Sequence, residues 1–253
     1  MSTSNYCFPK KQRRVIIRHC QIVATASYLP ETVVTNDDII TDNKLPFKSN
    51  AIIKTVGVEK RHVAADNQDD SDLLCISAQG CLDKLKIKPE NLTRIIVNKY
   101  MGDNLLPMTA SRLQGKLGSS VANHAFDLDG GMSSFLYALD TAARFIATGD
   151  DLILIASGGV HYRLTSRTDP RVAFLFGDAS AAIVVGPADE AHVLAGYFYT
   201  NHQFYELATA RGMNFLRSTG FDGDRSRFYD TYTMDNWKLA EDFYRTATRT
   251  VWR

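Results

Sequence analysis

Residues 127–145, DLDGGMSSFLYALDTAARF, constrain the fold of this chain more than any other stretch. Residues 125–128 predict a strand, and Gly130 and Gly131 predict a tight turn after it. The residues that follow predict a long helix, because apolar side chains recur at three- and four-residue spacing until Gly149 provides a stop. Those apolar residues are Leu136, Leu139, Ala143 and Ile146. The pattern therefore places Met132 at the N-terminus of a buried helix.

The N-terminus of a helix stabilises an anion, because its backbone N–H groups are free and the helix dipole is positive there. A cysteine at this position would ionise easily and would act as a nucleophile. Met132 carries a thioether instead, which has no proton to lose and cannot form a stable acyl-enzyme. The position suits a catalytic nucleophile, but the methionine that occupies it cannot act as one.

The composition is that of an ordinary globular protein, with 253 residues, 45% hydrophobic residues and a formal net charge of +1. Near-neutral charge argues against wholesale nucleic-acid binding, and no apolar run approaches the roughly 18 residues of a membrane span. Residues 1–14 predict a flexible N-terminus without a signal-peptide core, so we expect a cytoplasmic protein. Cys7, Cys20, Cys75 and Cys81 lack metal-site spacing and should stay reduced.

Strands alternate with helices along most of the chain, and several strands are apolar without polar alternation. This combination favours a mixed or parallel sheet covered by helices on both faces, and hence an α/β fold. The predicted strands cover residues 15–26, 94–98, 125–128, 152–156, 173–176 and 181–185. The other predicted helices run from Thr35 or Asn36 to Ile40, from Asn50 to Thr55, from Ser71 or Asp72 to Leu85, and from Pro107 to Leu117.

Residues 188–253 predict the start of a second unit. They offer a strand at residues 193–199, an irregular stretch, and a helix from Asp235 with one apolar face. That face holds Trp237, Ala240, Tyr244, Ala247 and Val251. One strand and one helix cannot close a sheet layer. We therefore expect a complete N-terminal half over residues 15–187 and an incomplete half after it.

Five short motifs occur in a characteristic order and spacing. They are YLP with TN at residues 28–30 and 35–36, GVEKR at 57–61, LP at 106–107, DL with Phe at 127–128 and 135, and FGD at 176–178. Together they resemble β-ketoacyl-acyl-carrier-protein synthase III, the ketosynthase branch of the thiolase fold, over about residues 15–250. The resemblance implies a thiolase-like layered α/β fold with a complete N-terminal βαβαβ repeat and an incomplete second one. It also implies a dimer along the central strands and acyl transfer from coenzyme A or carrier-protein thioesters.

The chain departs from that family at the positions that carry its chemistry. Met132 stands where the family has its nucleophilic cysteine, and Ala51 and Thr55 stand where a tryptophan and an arginine clamp the adenine of coenzyme A. Neither replacement can stack on a base. FGDGAGA becomes FGDASAA, and we expect Ala179 and Ala181 to crowd the backbone there. The family's catalytic histidine and asparagine belong to a region beyond the end of this sequence. None of the six histidines lies in a matching motif: His19, His62, His124, His161, His192 and His202.

Three hypotheses follow. The chain is a non-catalytic ketosynthase-like subunit of fatty-acid-like or polyketide biosynthesis, in which Met132 fills the acyl tunnel and the chain supports an active partner. Alternatively, it is an acyltransferase that uses Ser133 or Ser134, although a serine hydroxyl needs an adjacent base. In the third hypothesis it is the front part of a split or longer enzyme, although Met132 still leaves the completed site without its nucleophile.

The resemblance also implies partners and contacts. We expect a hetero- or homodimer with a ketosynthase-like chain, with Leu106 and Leu128 near the dimer contact, and no bound cofactor or metal. Substrate contacts are expected at Arg61, Leu106 and Arg171. An acyl carrier protein would be recognised through basic residues such as Arg61, Arg163, Arg167 and Arg171.

Overall fold

The computed structural model describes residues 18–99, 101–120, 123–170 and 172–196, with residues 198, 200, 202, 208–210 and 232–234. The described helices are α1 (Asn36–Asp42), α2 (Ser49–Val56), α3 (Asp70–Leu85), α4 (Thr109–Lys116) and α5 (Ser134–Ala147). The described strands are β1 (Cys20–Tyr28), β2 (Thr32–Thr35), β3 (Lys60–Val63), β4 (Leu92–Asn98), β5 (His124–Leu128), β6 (Leu152–Gly159), β7 (Ala179–Pro187), β8 (Ala208–Ala210) and β9 (Tyr232–Met234).

A mixed five-stranded sheet in the order β1-β7-β6-β4-β5 forms the centre of the described structure. β6, β4 and β5 are parallel, whereas β7 is antiparallel to both of its neighbours. Because α4 connects β4 to β5 and α5 connects β5 to β6, these five elements form the βαβαβ repeat that the resemblance implies. Two small antiparallel ladders, β2 with β3 and β8 with β9, complete the described strands.

Both faces of the sheet are buried, and alternate residues of each central strand serve opposite faces. On β6, Leu154 and Ala156 belong to the cluster that includes α3 and α4, whereas Ile153 and Ile155 belong to the cluster that includes α5. All four side chains are 0% exposed. A strand buried on both sides is apolar throughout rather than alternating. The uninterrupted apolar run of β6 is therefore a direct consequence of its central position.

Two predicted helices each have one end where the sequence indicates it. Thr35 caps α1, and its hydroxyl accepts a hydrogen bond from the Asp38 backbone N–H at 3.2 Å. Gly57 ends α2 in the left-handed region, with φ of +80°. The helix predicted from Pro107 instead begins at Thr109, and Pro107 lies in the preceding loop.

Residues 173–176 do not form the predicted strand. They lie in a turn in which the Ala173 N–H donates to the Asp169 carbonyl at 2.9 Å. The apolar run is explained by burial of Phe174, which is 0% exposed, in a separate cluster with Ile39 and Ile52. A four-residue apolar run does not distinguish a buried turn from a buried strand.

After β7 the structure describes only some of the residues for which the sequence predicts an element. Residues 193–196 and 198 are described and are not in a strand, so the predicted strand at 193–199 is wrong for them. The helix predicted from Asp235 and its apolar face around Trp237 lie outside the described residues. The domain boundaries at residues 14 and 187 stay predictions. Among the described helices, none is long and apolar enough to cross a membrane.

Gly158 is required by the way β6 meets β7. Its φ is +122°, and a Cβ built on it would lie 2.2 Å from the carbonyl oxygen of Ala179 on β7. No backbone oxygen and Cβ can approach so closely, so one strand would have to move. The narrow spacing of the two strands at this point depends on the missing side chain.

We expect Gly158→Ala to lower the free energy of unfolding by at least about 2 kcal/mol, because it adds a steric clash to backbone strain. Gly149→Ala is the matched control, since Gly149 also has a positive φ, +111°, but its Cβ would meet no atom within 4 Å. Urea denaturation followed by circular dichroism measures both variants. If both substitutions lower the free energy of unfolding by the same amount, the close contact with Ala179 does not affect stability.

Candidate functional site

The turn that carries Met132 lies at the carboxyl end of β5. Residues Gly131–Ser133 form a single 3-10 turn that runs directly into α5. Gly131 has φ of +61°, and its N–H donates to Asp129 Oδ1 at 3.2 Å. The backbone thus follows the predicted strand–turn–helix course, with Met132 in the turn that leads into α5. In open α/β sheets, ligands bind at this edge, beyond the carboxyl ends of the parallel strands.

A polar network ties the turn to the ends of the two neighbouring strands. Asn98, the last residue of β4, donates through Nδ2 to the Ser157 hydroxyl of β6 at 2.6 Å. The Ser134 hydroxyl lies within hydrogen-bond reach of Asn98 Oδ1 and of the Gly131 carbonyl, the latter at 2.5 Å. A hydroxyl has one proton, so these two acceptors share it. The network holds the first turn of α5 against the sheet.

Neither serine has the surroundings of a nucleophile. Ser134 is 2% exposed, and its hydroxyl is engaged by an amide oxygen and a carbonyl, neither of which accepts a proton as a base does. Ser133 is exposed and makes no side-chain capping bond to α5. The geometry gives Ser134 a structural role and leaves Ser133 a surface residue at the helix start.

The described cysteines do not replace the missing nucleophile. Cys20 and Cys81 are buried and Cys75 is half-buried, and burial raises the pKa of all three thiols. A raised pKa keeps a thiol protonated, whereas nucleophilic attack requires the thiolate. These residues pack as small apolar side chains, as the sequence predicts; Cys7 lies outside the described residues.

Asp127 connects the Met132 turn to the loop that precedes α4. Its carboxylate accepts hydrogen bonds from the backbone N–H groups of Thr109, at 2.9 Å, and Ala110, at 2.7 Å. The Lys99 ammonium group lies 2.9 Å from the same carboxylate. Lys99 and Thr109 stand at the two ends of the intervening loop. One side chain of β5 therefore fixes both ends of that loop.

This loop, residues 101–108, presents apolar side chains to solvent. Leu106 is 83% exposed and Leu105 is 66% exposed, and Met101 and Met108 are also exposed. Leu106 was expected to contact substrate, yet in this chain it points to solvent rather than into an enclosed pocket. Four apolar side chains within this eight-residue segment are thus exposed to solvent.

A cleft of about 250 Å³ lies between this loop, the start of α3 and the segment after β6. Asp69, Asp70 and Arg163 contribute its polar walls, and Met101 and Leu105 contribute apolar ones. Sequence reasoning missed Asp70, because an acidic residue in the first turn of a helix is common as a dipole partner and gives no further signal.

Arg61 is a buried structural residue and not a surface contact. It is 5% exposed, and its guanidinium donates to Asn36 Oδ1 at 2.6 Å and to the carbonyls of Phe174, at 2.9 Å, and Val34, at 3.2 Å. Burial lowers the pKa of this guanidinium. Arg61 therefore joins β3 to α1 and to the 172–175 turn, and the expected contact with an acidic carrier protein does not fit its position.

The other arginines expected to meet a carrier protein are also engaged within the chain. Arg163 donates to the Gln68 carbonyl at 2.9 Å and contacts the Ala65 carbonyl. Arg167 lies over the Tyr162 ring, 3.8 Å from its centroid. Arg171 lies outside the described residues.

Asp178 of the FGD motif organises the segment after β6. Its carboxylate accepts hydrogen bonds from the backbone N–H groups of Ala64, His161 and Tyr162, at 2.7 to 2.8 Å. Of the two alanines expected to crowd the backbone after this motif, Ala181 is exposed and Ala179 is half-buried on β7. The aspartate of the motif thus has a structural function.

The positions that correspond to the adenine clamp lie on the solvent side of α2. Ala51 and Thr55 are both exposed, one helical turn apart, and the Thr55 hydroxyl donates to the Ala51 carbonyl. Neither side chain offers a flat or charged group to a nucleotide base. The Thr55 hydroxyl therefore already has an acceptor within the helix.

Comparisons with known proteins agree with this fold. The family model described as 3-oxoacyl-[acyl-carrier-protein] synthase III matches residues 126–201. A β-ketoacyl-[acyl-carrier-protein] synthase III of Xanthomonas campestris pv. campestris (strain 8004) is 31% identical over 191 residues, which is 75% of this chain and 58% of that protein. The chain thus spans 58% of the length of this relative.

Two solved structures extend the comparison. The 3-oxoacyl-[acyl-carrier-protein] synthase III of Aquifex aeolicus VF5 has a TM-score of 0.71 and 27% identity, over 76% of this chain and 62% of that one. The priming β-ketosynthase of the R1128 polyketide pathway has a TM-score of 0.75 and 18% identity, over 91% and 67%. The second likeness concerns the fold alone.

The five motifs, the βαβαβ repeat and the relatives point to the same group of proteins, which confirms the resemblance and the thiolase-like α/β fold. This chain is similar in sequence and in fold to β-ketoacyl-[acyl-carrier-protein] synthase III proteins.

Proposed function

We propose that the chain is a catalytically degenerate ketosynthase III-like subunit, which supports or shapes the acyl pocket of an active ketosynthase partner in fatty-acid-like or polyketide biosynthesis. One observation carries the proposal: Met132 occupies the turn between β5 and α5, where the family resemblance implies a nucleophilic cysteine. A thioether cannot form the acyl thioester on which condensation depends.

The turn is held by an ordered polar scaffold although Met132 cannot act as a nucleophile. Asn98 and Ser157 hold the carboxyl ends of β4 and β6 together, Ser134 joins them to α5, and Asp127 anchors the 101–108 loop. A buried polar group is costly when it has no hydrogen-bond partner, so these contacts stabilise the folded turn. If the turn had no function, such contacts would not be needed there. This ordered scaffold supports a structural function and argues against general decay of the site.

Two exposed features support association with a second chain. β5 lies at the edge of the five-stranded sheet, and its outer side has no strand neighbour among the described residues. The 101–108 loop exposes Leu105 and Leu106, and Asp127 of β5 holds this loop beside the same edge. An open sheet edge beside apolar side chains favours pairing with another chain. We propose a ketosynthase-like chain as the partner, in a hetero- or homodimer.

The first prediction concerns acyl loading. Because Met132 cannot form a thioester, incubation with an acyl-coenzyme A or an acyl carrier protein should leave the intact mass of the chain unchanged. Met132→Cys restores a thiol on the same turn, and we expect a hydroxylamine-sensitive acyl adduct on this variant alone. Intact-mass spectrometry followed by peptide mapping measures both proteins.

Ser133→Ala and Ser134→Ala provide the controls for acyl loading. If the wild-type chain gains an acyl group that maps to residue 133 or 134, and the matching alanine variant loses it, the chain is a serine acyltransferase. That result would contradict the non-catalytic proposal.

A second prediction follows from the α2 surface. Coenzyme A should bind more weakly than low-micromolar, because Ala51 and Thr55 give its adenine no stacking partner. The double variant Ala51→Trp with Thr55→Arg should tighten binding by about tenfold, which corresponds to about 1.4 kcal/mol of restored stacking. Isothermal titration calorimetry measures both, with Ala51→Leu and Thr55→Lys as a control that adds bulk and charge without planar groups. Low-micromolar binding to the wild-type chain is the contrary result.

A third prediction concerns assembly. Leu105→Glu combined with Leu106→Glu should dissociate or weaken the complex, because it places two charges in an apolar contact. Leu194→Glu is the matched control, since Leu194 is 78% exposed and lies outside the 101–108 loop. Sedimentation velocity of the chain alone, and mixed with a ketosynthase III, measures the effect. The proposal is contradicted if the wild-type chain, with no partner, sediments as a monomer at about micromolar concentration and that monomer unfolds cooperatively.

A further inference from the structure

The edge strand β1 has a sequence that favours the addition of another strand. Among the described strands only β7 pairs with β1, so the outer side of β1 faces no described strand. The nine residues of β1, CQIVATASY, include no charged residue and no proline, and Ile22 is 46% exposed. A long, uncharged edge strand of this kind pairs readily with a strand of another molecule. Protection from self-association therefore requires a feature that closes this edge.

The register with β7 shows which backbone groups of β1 point outward. Cys20 pairs with Pro187, and this pair is non-hydrogen-bonded because proline has no N–H group. In an antiparallel ladder, hydrogen-bonded and non-hydrogen-bonded pairs alternate. Four residues back along β7, Ile183 pairs with Thr25, so this pair is also non-hydrogen-bonded. The carbonyls of Cys20 and Thr25 therefore point away from β7, toward the open edge.

Both of these outward carbonyls accept a hydrogen bond from elsewhere in the chain. The Lys84 ammonium group donates to the Thr25 carbonyl at 2.6 Å. The His192 N–H donates to the Cys20 carbonyl at 3.4 Å, which is long for a hydrogen bond. A strand added to β1 would need the same carbonyls as acceptors for its own N–H groups. Because the Lys84 contact is short and charge-assisted, it is the stronger of the two obstacles.

Between these two contacts the strand itself is irregular. Ile22 pairs with Val185 and Ala24 pairs with Val184, so Val23 has no partner in the register. An extra residue of this kind bends the strand and interrupts the regular spacing of its N–H and C=O groups. Such bulges limit the pairing of edge strands with other chains. The bulge therefore adds a third obstacle between the two occupied carbonyls.

Gly80 allows α3 to lie close enough to β1 for Lys84 to reach its edge. A Cβ built on Gly80 would lie 2.9 Å from the Cβ of Ala26, which is too close for two such atoms. Lys84 follows four residues later, in the last turn of α3, and so lies on the same face of the helix. The missing side chain at residue 80 thus brings this face of α3 against β1.

We propose that Lys84 closes the outer edge of β1 to strand addition by a second copy of this chain. In a symmetric pair of β1 strands, both copies of Lys84 would have to leave the Thr25 carbonyl. Two ammonium groups would then lie at the new contact without their acceptors, which is costly. Among the described strands, β5 is thus the sheet edge that stays open to a partner. The inference depends neither on the lack of a nucleophile nor on the identity of the proposed partner.

Hydrogen exchange measured by mass spectrometry at increasing protein concentration tests the proposal on the full chain. Lys84→Met keeps the length and the apolar stem of the side chain but removes its charge and its donors. In this variant, the peptide that covers residues 20–28 should gain protection as the concentration rises. Half-maximal protection should be reached at a concentration at least about tenfold below that of the wild-type chain, because no ammonium group has to be displaced. The peptide that covers residues 124–128 reports association through β5 separately.

Two control variants separate this function of Lys84 from a general effect of charge. Lys84→Arg retains a cation with donors, and Lys54→Met removes an exposed lysine from the last turn of α2, so both should behave as the wild-type chain does. The proposal is overturned if Lys84→Met and the wild-type chain show the same concentration dependence at residues 20–28, or if either control matches Lys84→Met. If Lys84→Met does not fold, Lys84→Ala decides in its place, because alanine has the highest helix propensity.

Discussion

The burial of β4 and β6 on both faces is the constraint on which the rest of this structure depends. Helices α3 and α4 cover one side of these strands, and α5 covers the other. With both faces closed, polar groups can reach solvent only at the ends of the strands, and the carboxyl ends of parallel strands meet at one edge. Asn98, Ser157 and the Met132 turn lie at that edge for this reason.

Local patterns in the sequence were sufficient to predict the elements of this core. The spacing of Leu139, Ala143 and Ile146 predicts α5, and the unbroken apolar run of β6 predicts a central strand. The same reasoning failed at Phe174, because a short apolar run is compatible with any buried backbone. The antiparallel ladder of β2 and β3 was missed, since strands of four residues carry too few alternations to be recognised.

The site was predictable only where it depends on one continuous segment. The position of Met132 follows from the strand, the two glycines and the helix that surround it. The contacts of Asp70 with Gly102 and Val160 depend on which strands are neighbours, and sequence spacing does not give that order. The same holds for Arg61, whose basic side chain indicates a surface until the sheet order brings α1 and the 172–175 turn around it.

The pairing of β1 with β7 has a consequence for the order in which the chain is made. The strands from β4 to β6 are close in sequence, so their contacts can form as soon as this part of the chain leaves the ribosome. β1 is synthesised before them, yet Cys20 pairs with Pro187, near the end of β7. The first strand of the sheet must therefore wait, unpaired, until the last one emerges. During that interval its apolar residues are available to chaperones, or to a second nascent chain on the same message.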